Sequence, residues 1–553
     1  MEIKLISSLE KCFLDEDIKD KKEYKSGSCL KNELFHFEIC FTDTPEEEWV
    51  TYTYLTVESP IAEYVRVSRI EVAPVQLAAI KNDGDYLRDT PGLYPDIMQP
   101  LEPHGRLSAS KNLKSLMVEV DTKGEVEAGV YPITFVFTEA KEEKNKHKVT
   151  FQLEIIDAVL PEQELKFTQW FHCDCLKNYY RVETFSDEHF RIIENFAKTA
   201  VRYGINMLLT PVFTPPLDTA IGGERETMQL VVVKRENGKY SFDFSLLERW
   251  VKMCDRVGVK YFEISHFFTQ WGAKAAPKIM ALVDGEYKKI FGWETDACGE
   301  EYKQFLNEFV PEFLKFMKSQ NGADKRCWFH ISDEPNDKQL EGYLSAKAIV
   351  APLLKGYPII DALSSYDFYS SGAVEKPIPS TLHIEPFIEN NVPNLWCYYC
   401  VTEHHDVSNR FLAMPSYRNR IIGTQFYKYN IEGFLQWGYN FYNNQLSYAQ
   451  VNPFMNTDAE CFAPAGDAFS VYPAPDGTAW ESIRLLVFYD AIQDLRAFKL
   501  CESLYGREFV MQLLEETGPI TFKNYPRSAE YLLTLREKIN KAIKNKTVNG
   551  QNH

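Results

Sequence analysis

The chain changes its periodicity once, near Asp157-Ala158-Val159-Leu160-Pro161, and that switch limits what it can fold into. Before it, short runs at residues 34–40, 49–57 and 130–137 are rich in aromatic and β-branched side chains. Turn residues separate such runs, as at Lys81-Asn82-Asp83-Gly84 and Thr122-Lys123-Gly124. This texture predicts an all-β sandwich over residues 1–160, with Pro91-Gly92-Leu93-Tyr94-Pro95-Asp96 as an irregular loop docked on the next domain. After the switch, short apolar strands alternate with amphipathic helices, the pattern of parallel βα units. At 553 residues the chain exceeds what one core supports, so more than one domain is expected.

Strands are predicted at 165–172, 206–210, 261–267, 327–333, 357–362, 382–384, 395–399 and 433–437. Between the first two, Ser186-Asp187-Glu188 opens a helix whose Phe190, Ile193, Phe196, Ala197 and Ala200 share one face. A hairpin turning at Asn237-Gly238 is inserted before the third. About eight strands with intervening helices predict a (β/α)8 TIM-like barrel over residues 161–480. The tail, 481–553, reads as a helical extension packed on the barrel.

The fourth strand ends in Ser332-Asp333-Glu334-Pro335-Asn336. Catalytic groups of such barrels sit at the C-terminal ends of strands, which nominates Asp333 and Glu334. The alternative is that the two carboxylates only cap the next helix. Pro335 disfavours a helical Glu334 and prolongs the extended segment. A retaining glycosidase with two direct carboxylates takes them from different strands, about 5 Å apart. Adjacent carboxylates suit another division of labour, in which one is the proton donor and the other steers a nucleophile supplied by the substrate.

Rings and imidazoles gather at other strand ends: Trp170 and His172, His266 and Trp271, Trp396 and Tyr398, Trp437 and Tyr439. Singly, each reads first as core packing; together, beside a carboxylate pair, they suit a sugar pocket. His383 and Glu385 read either as a core pair or as a ligand contact, and Arg418 and Arg420 as surface or structural cations. With 79 acidic against 61 basic residues, the net charge of −18 argues against nucleic acid and anionic membranes as partners. No apolar run approaches the roughly 20 residues that span a bilayer. The 12 cysteines are scattered, and Cys397 and Cys400 read as core thiols of a reducing compartment. Glu403-His404-His405 lacks ligand spacing, so neither a metal nor another cofactor is expected. No secretory leader is legible at the start, which makes a cytoplasmic protein the expectation.

Four stretches together resemble glycoside hydrolase family 123: Ser332-Asp333-Glu334-Pro335, Pro91–Asp96, Ile431-Glu432-Gly433-Phe434-Leu435-Gln436-Trp437, and Gly466-Asp467-Ala468-Phe469-Ser470-Val471-Tyr472-Pro473 followed by Ser482-Ile483-Arg484-Leu485. The resemblance implies a retaining exo-β-N-acetylgalactosaminidase acting on glycans with terminal β-linked N-acetylgalactosamine, such as those of glycosphingolipids. It also implies that Asp333 polarises the acetamido group while an oxazolinium forms, and that Glu334 is the acid/base. The chain departs from the family at Gln436, where an aromatic is common, and in the loosely matched Asp490-Ala491-Ile492-Gln493-Asp494. Two alternatives stand beside this reading. One is a two-carboxylate retaining glycosidase with Glu403 or Glu385 as nucleophile; the other is a non-catalytic glycan-binding protein.

Overall fold

The structure, a computed structural model, describes residues 1–43, 49–102, 105–142, 144–335 and 337–550. The chain divides into two compact units. The first comprises residues 1–163, 408–428 and 480–553; the second comprises 164–407 and 429–479.

The first unit holds the expected sandwich. One sheet runs in the order Glu2–Ser7, Leu34–Thr42, Lys114–Asp121, Val65–Val75, Gly92–Pro100. The other runs Ser26–Leu30, Lys146–Ile156, Gly129–Glu139, Thr51–Glu58, Arg106–Ala109. Alternate residues point inward, and the core is aromatic: Phe37 stacks on Phe151 with centroids 4.0 Å apart and meets Phe135 edge-on. The expected loop at Pro91–Asp96 is instead part of the strand Gly92–Pro100. Its register slips where Val72 faces Pro95 and Glu71 faces Ile97, leaving Asp96 as the extra residue of a bulge. A bulge is one of the few places where a strand accepts proline.

Helices Ile483–Tyr505, Arg507–Leu514 and Ala529–Gly550 fall in the same compact unit as the sandwich. Buried ion pairs between residues far apart in sequence hold them there. Arg484 grips Asp96 through two bonds of 2.9 Å, Arg420 grips Asp494 at 2.7 and 2.9 Å, and Arg536 joins Asp494 to Glu33 at 2.9 and 2.6 Å. Arg418, fully buried on Asp83 at 2.9 Å, and Arg420 are therefore structural cations inside the fold, not on its surface.

The second unit is built on short parallel strands: β1 (Lys166–Gln169), β2 (Met207–Thr210), β3 (Tyr261–Ile264), β4 (Cys327–Trp328), β5 (Ile360–Ala362), β6 (Lys376–Ile378), β7 (Trp396–Tyr398) and β8 (Gly433–Gln436). Six form a curled sheet in the order β4-β3-β2-β1-β8-β7, and β5 pairs with β6. Single parallel bridges, Phe329 with Ile359 and Ser380 with Tyr398, join the pair to β4 and β7. The predicted strand at 382–384 is a turn; the strand lies earlier, at β6, where Pro377 and the following Pro379 disguise it. The helix Asp187–Arg202 buries the face expected of it, and Ser186 caps it by accepting the His189 N–H at 3.2 Å.

Side chains from these strands interlock in one interior cluster that includes Met207, Leu209, Trp328, Ile360, Ile378, Trp396 and Leu435. Gly433 sits directly opposite Trp396 in the β7–β8 register, and a β-carbon at Gly433 would fall inside the indole. Gly433→Ala is therefore expected to destabilise this unit by roughly 1–3 kcal/mol, the cost of overpacking. The shift in urea midpoint, followed by tryptophan emission, measures it.

Candidate active site

The chain leaves β4 at Trp328 and makes a sharp, heavily pinned turn. Asp361 of β5 accepts the backbone N–H groups of Ile331 and Ser332 at 3.1 and 3.3 Å. From the opposite side, the Ser332 hydroxyl donates to Thr269 O at 2.8 Å, and the Trp271 N–H donates to Asp333 O at 2.9 Å. Glu334 does not prolong an extended segment, as Pro335 suggested. It takes a left-handed conformation, φ 43°, which a non-glycine residue adopts at some cost. That turn lets neighbouring side chains face one space, which an extended pair cannot do. Asn336 lies outside the described residues.

Asp333 is half-buried, Glu334 is exposed, and both line a cavity of about 290 Å³. Trp170, His172, Trp271, Tyr398 and Trp437, all nominated from the sequence as sugar contacts, line it too. Tyr398 donates its hydroxyl to Glu334 Oε1 at 2.7 Å. Though both side chains open onto the cavity, the protein packed around them strips water from their carboxyls and raises the pKa of each. The charge of Glu334 adds to the rise of Asp333, while the Tyr398 hydrogen bond pulls Glu334 back and the charge of Glu403 pushes it up. Two acids side by side in a partly desolvated site retain a proton to higher pH than either would alone.

Beneath the pair, His330 lies 2.7 Å from Glu263 Oε1 and 3.4 Å from Asp361 Oδ1. Burial would depress this imidazole, but hydrogen bonds to Asp361 and Glu263 outweigh it and hold the pKa at about 9. Glu263 Oε1 also accepts the Trp170 indole N–H at 2.8 Å, and Glu263 Oε2 accepts the Thr168 hydroxyl. On the cavity wall, His172 is pushed down to about 4 by burial and by Arg225, so its imidazole is neutral. Its Nε2 lies 3.0 Å from Trp437 O, and its Nδ1 lies 3.4 Å from the Arg225 guanidinium, which Asp174 holds at 2.7 Å. The Trp437 indole is fixed in turn by Asp467 at 2.9 Å. Gln436, set where an aromatic was expected, bonds the same Asp467 at 3.0 Å.

Four expected contacts lie elsewhere. His266 is buried below the site, stacked on His330 at 4.1 Å. Trp396 packs on Trp328 in the interior cluster, centroids 5.2 Å apart. Tyr439 is buried against Phe171, its hydroxyl on Phe196 O at 2.9 Å. His383 is exposed on the turn after β6 and does not line the cavity.

Neither alternative nucleophile lines it either. Glu403 is buried and folds back on the Cys400 N–H at 2.8 Å, and Glu385 opens the short helix Glu385–Glu389. Cys397 is core, but Cys400 is a cavity residue. Among the described residues no group of three His, Cys, Asp or Glu side chains is arranged to hold a metal ion, and no helix is long and apolar enough to cross a membrane.

Sequence reasoning missed Asp218, Gln270, Thr402 and Phe462 in the lining, and Glu263 and Asp361 beneath it. The last two carried a signal: a carboxylate amid apolar strand residues, Tyr261-Phe262-Glu263-Ile264 and Ile359-Ile360-Asp361-Ala362, is rare unless it is paired.

Comparison with known proteins adds four findings. Residues 170–501 match the model of the glycoside hydrolase 123 catalytic domain. The solved structure of a family 123 glycoside hydrolase from Clostridium perfringens, studied for glycolipid glycan hydrolysis, superposes with a TM-score of 0.74 at 15% identity, covering 98% of each chain. A glycoside hydrolase family 5 structure from Bacteroides vulgatus reaches a TM-score of only 0.28 at 12% identity, over 62% of this chain and 68% of that one. A search of curated proteins gives no match.

Proposed function

We propose, from the premise that this chain belongs to glycoside hydrolase family 123, that it is a retaining exo-β-N-acetylgalactosaminidase working by substrate assistance. Its eight parallel strands are read as a (β/α)8 barrel, thinned to single bridges on either side of the β5–β6 pair. The observation that carries the proposal is the placement of Asp333 and Glu334, adjacent in sequence, on one cavity. That cavity is near the lower end of the roughly 300–1,000 Å³ range of small-molecule sites, a size for one sugar ring, and it is walled by indoles.

In this reading the 2-acetamido carbonyl oxygen attacks the anomeric carbon as the glycosidic bond breaks. Asp333 accepts the amide N–H and stabilises the positive charge of the oxazolinium that forms. Glu334 gives its proton to the leaving oxygen, then takes one from the water that opens the ring. The raised pKa values suit this exchange. An N–H donor arriving at Asp333 favours its ionised form, so the retained proton resides on Glu334. The Tyr398 hydroxyl occupies Glu334 Oε1, which leaves the other oxygen to carry the proton. The preference for galacto over gluco sugars, and for glycosphingolipid-type glycans, rests on the family resemblance.

The test is hydrolysis of an aryl N-acetyl-β-D-galactosaminide beside its gluco epimer and the β-galactoside lacking the acetamido group. Turnover of the first, little of the third, and strong competitive inhibition by the thiazoline mimic of the intermediate are expected. Comparable turnover of the plain β-galactoside, or indifference to the thiazoline, would overturn assistance by the substrate. Binding without turnover would leave only a glycan-binding protein.

A further inference from the structure

We infer that Asp218 is a specificity-determining residue: its carboxylate receives ring hydroxyl groups of the sugar seated against Asp333 and Glu334. The inference rests on the glycosidase reading above. Asp218 follows β2, and its side chain lines the cavity together with Leu217, Gln270 and Trp271. Its backbone is left-handed, φ 39°, an arrangement that persists only where surroundings impose it.

The surroundings do so at three points. The Asp218 N–H donates to Gln270 Oε1 at 2.6 Å, its carbonyl accepts the Ser447 hydroxyl at 2.8 Å, and its Oδ2 accepts the Leu446 N–H at 3.1 Å. Gln270 is followed directly by Trp271, whose N–H holds Asp333 O at 2.9 Å. One loop therefore braces both the catalytic turn and Asp218, so the distance between them is set by the fold. Among the described residues no donor meets Asp218 Oδ1. A carboxylate oxygen left without a donor on the wall of a sugar-sized cavity is an acceptor for hydroxyl groups, the one kind of donor every sugar ring supplies.

A third carboxylate from another strand end could instead be an enzyme nucleophile, and the experiment separates the two roles. Wild type and the Asp218→Asn variant are assayed on aryl N-acetyl-β-galactosaminide and on its 3-, 4- and 6-deoxy analogues. Asn keeps an oxygen for the Leu446 N–H; Asp218→Ser serves as the second variant, and thermal melts confirm folding. In wild type, the analogue lacking the contacted hydroxyl should lose about 10- to 100-fold in kcat/KM, the range of one hydrogen bond to a charged group. The variant should lose a similar factor on the parent sugar, mainly through KM, and nothing further on that analogue. A variant that still discriminates among the deoxy sugars as wild type does would overturn the inference alone. Collapse of kcat with rescue by azide would make Asp218 a nucleophile and overturn both readings. A wild type without turnover on any of these sugars would also overturn both.

Discussion

Glu334→Gln should lower kcat/KM by about 10³-fold or more on N-acetyl-β-galactosaminides whose leaving group is another sugar, and far less on dinitrophenyl glycosides. General acid catalysis contributes typically 10²–10⁴-fold, and a leaving group that departs as a stable anion does not need it. Asp333→Asn should fail on both kinds of substrate alike, because steering and charge-stabilising the acetamido group is needed however readily the leaving group departs. The contrast between the two variants is the diagnostic result. A pH profile adds a sign. A carboxyl whose pKa is raised stays protonated beyond the ordinary carboxylate range, so the limb on which activity falls with rising pH should lie above that range in wild type. In Glu334→Gln that limb should vanish. Equal losses on both substrate classes for Glu334→Gln would remove it from the acid role.

The second large effect is on stability. Glu263→Gln removes one charge from the buried set that holds His330, and breaking such a pair leaves the other charge uncompensated, at a cost of about 3–5 kcal/mol. Urea unfolding followed by tryptophan emission and by residual hydrolysis measures it. The pH dependence follows from His330 itself, which rises from 6.5 to about 9 on folding. Its contribution is fully present below pH 6.5 and is lost as pH climbs through 9, a decline on the order of 3 kcal/mol. The raised carboxyls Asp333, Glu334 and Asp361 also lose stability as pH rises, but their window opens lower, from the unfolded carboxylate range upward. His330→Gln should therefore flatten the decline between pH 6.5 and 9. An unchanged slope in that interval would mean that His330 is not held as an imidazolium.

The carboxylate pair on the cavity was legible because adjacent carboxylates closing an apolar run are conspicuous without any tertiary information. The rings were half legible. Trp396 and Tyr398 share a face of β7, and the alternation that groups them says nothing about depth: Tyr398 reaches the cavity while Trp396 lies in the interior. Trp437 and Tyr439 separate for another reason, since β8 ends at Gln436 and the alternation does not survive the turn through Gly438. His383 was misplaced because prolines on both sides of Ile378 concealed the true strand. Asp218 left no trace in the sequence. What makes it a wall of the site is a left-handed backbone and three partners from two other loops, and none of these is local.

The buried bond between Arg484 and Asp96 spans 388 residues of chain. On a ribosome adding roughly 5–20 residues per second, Asp96 emerges some 20–80 s before its cation exists. Glu33 waits longer still for Arg536. The whole of the second unit, residues 164–407 and 429–479, is encoded between the two halves of these pairs and is translated within that interval. Every residue lining the cavity is thus translated before the first unit can complete its buried ion pairs.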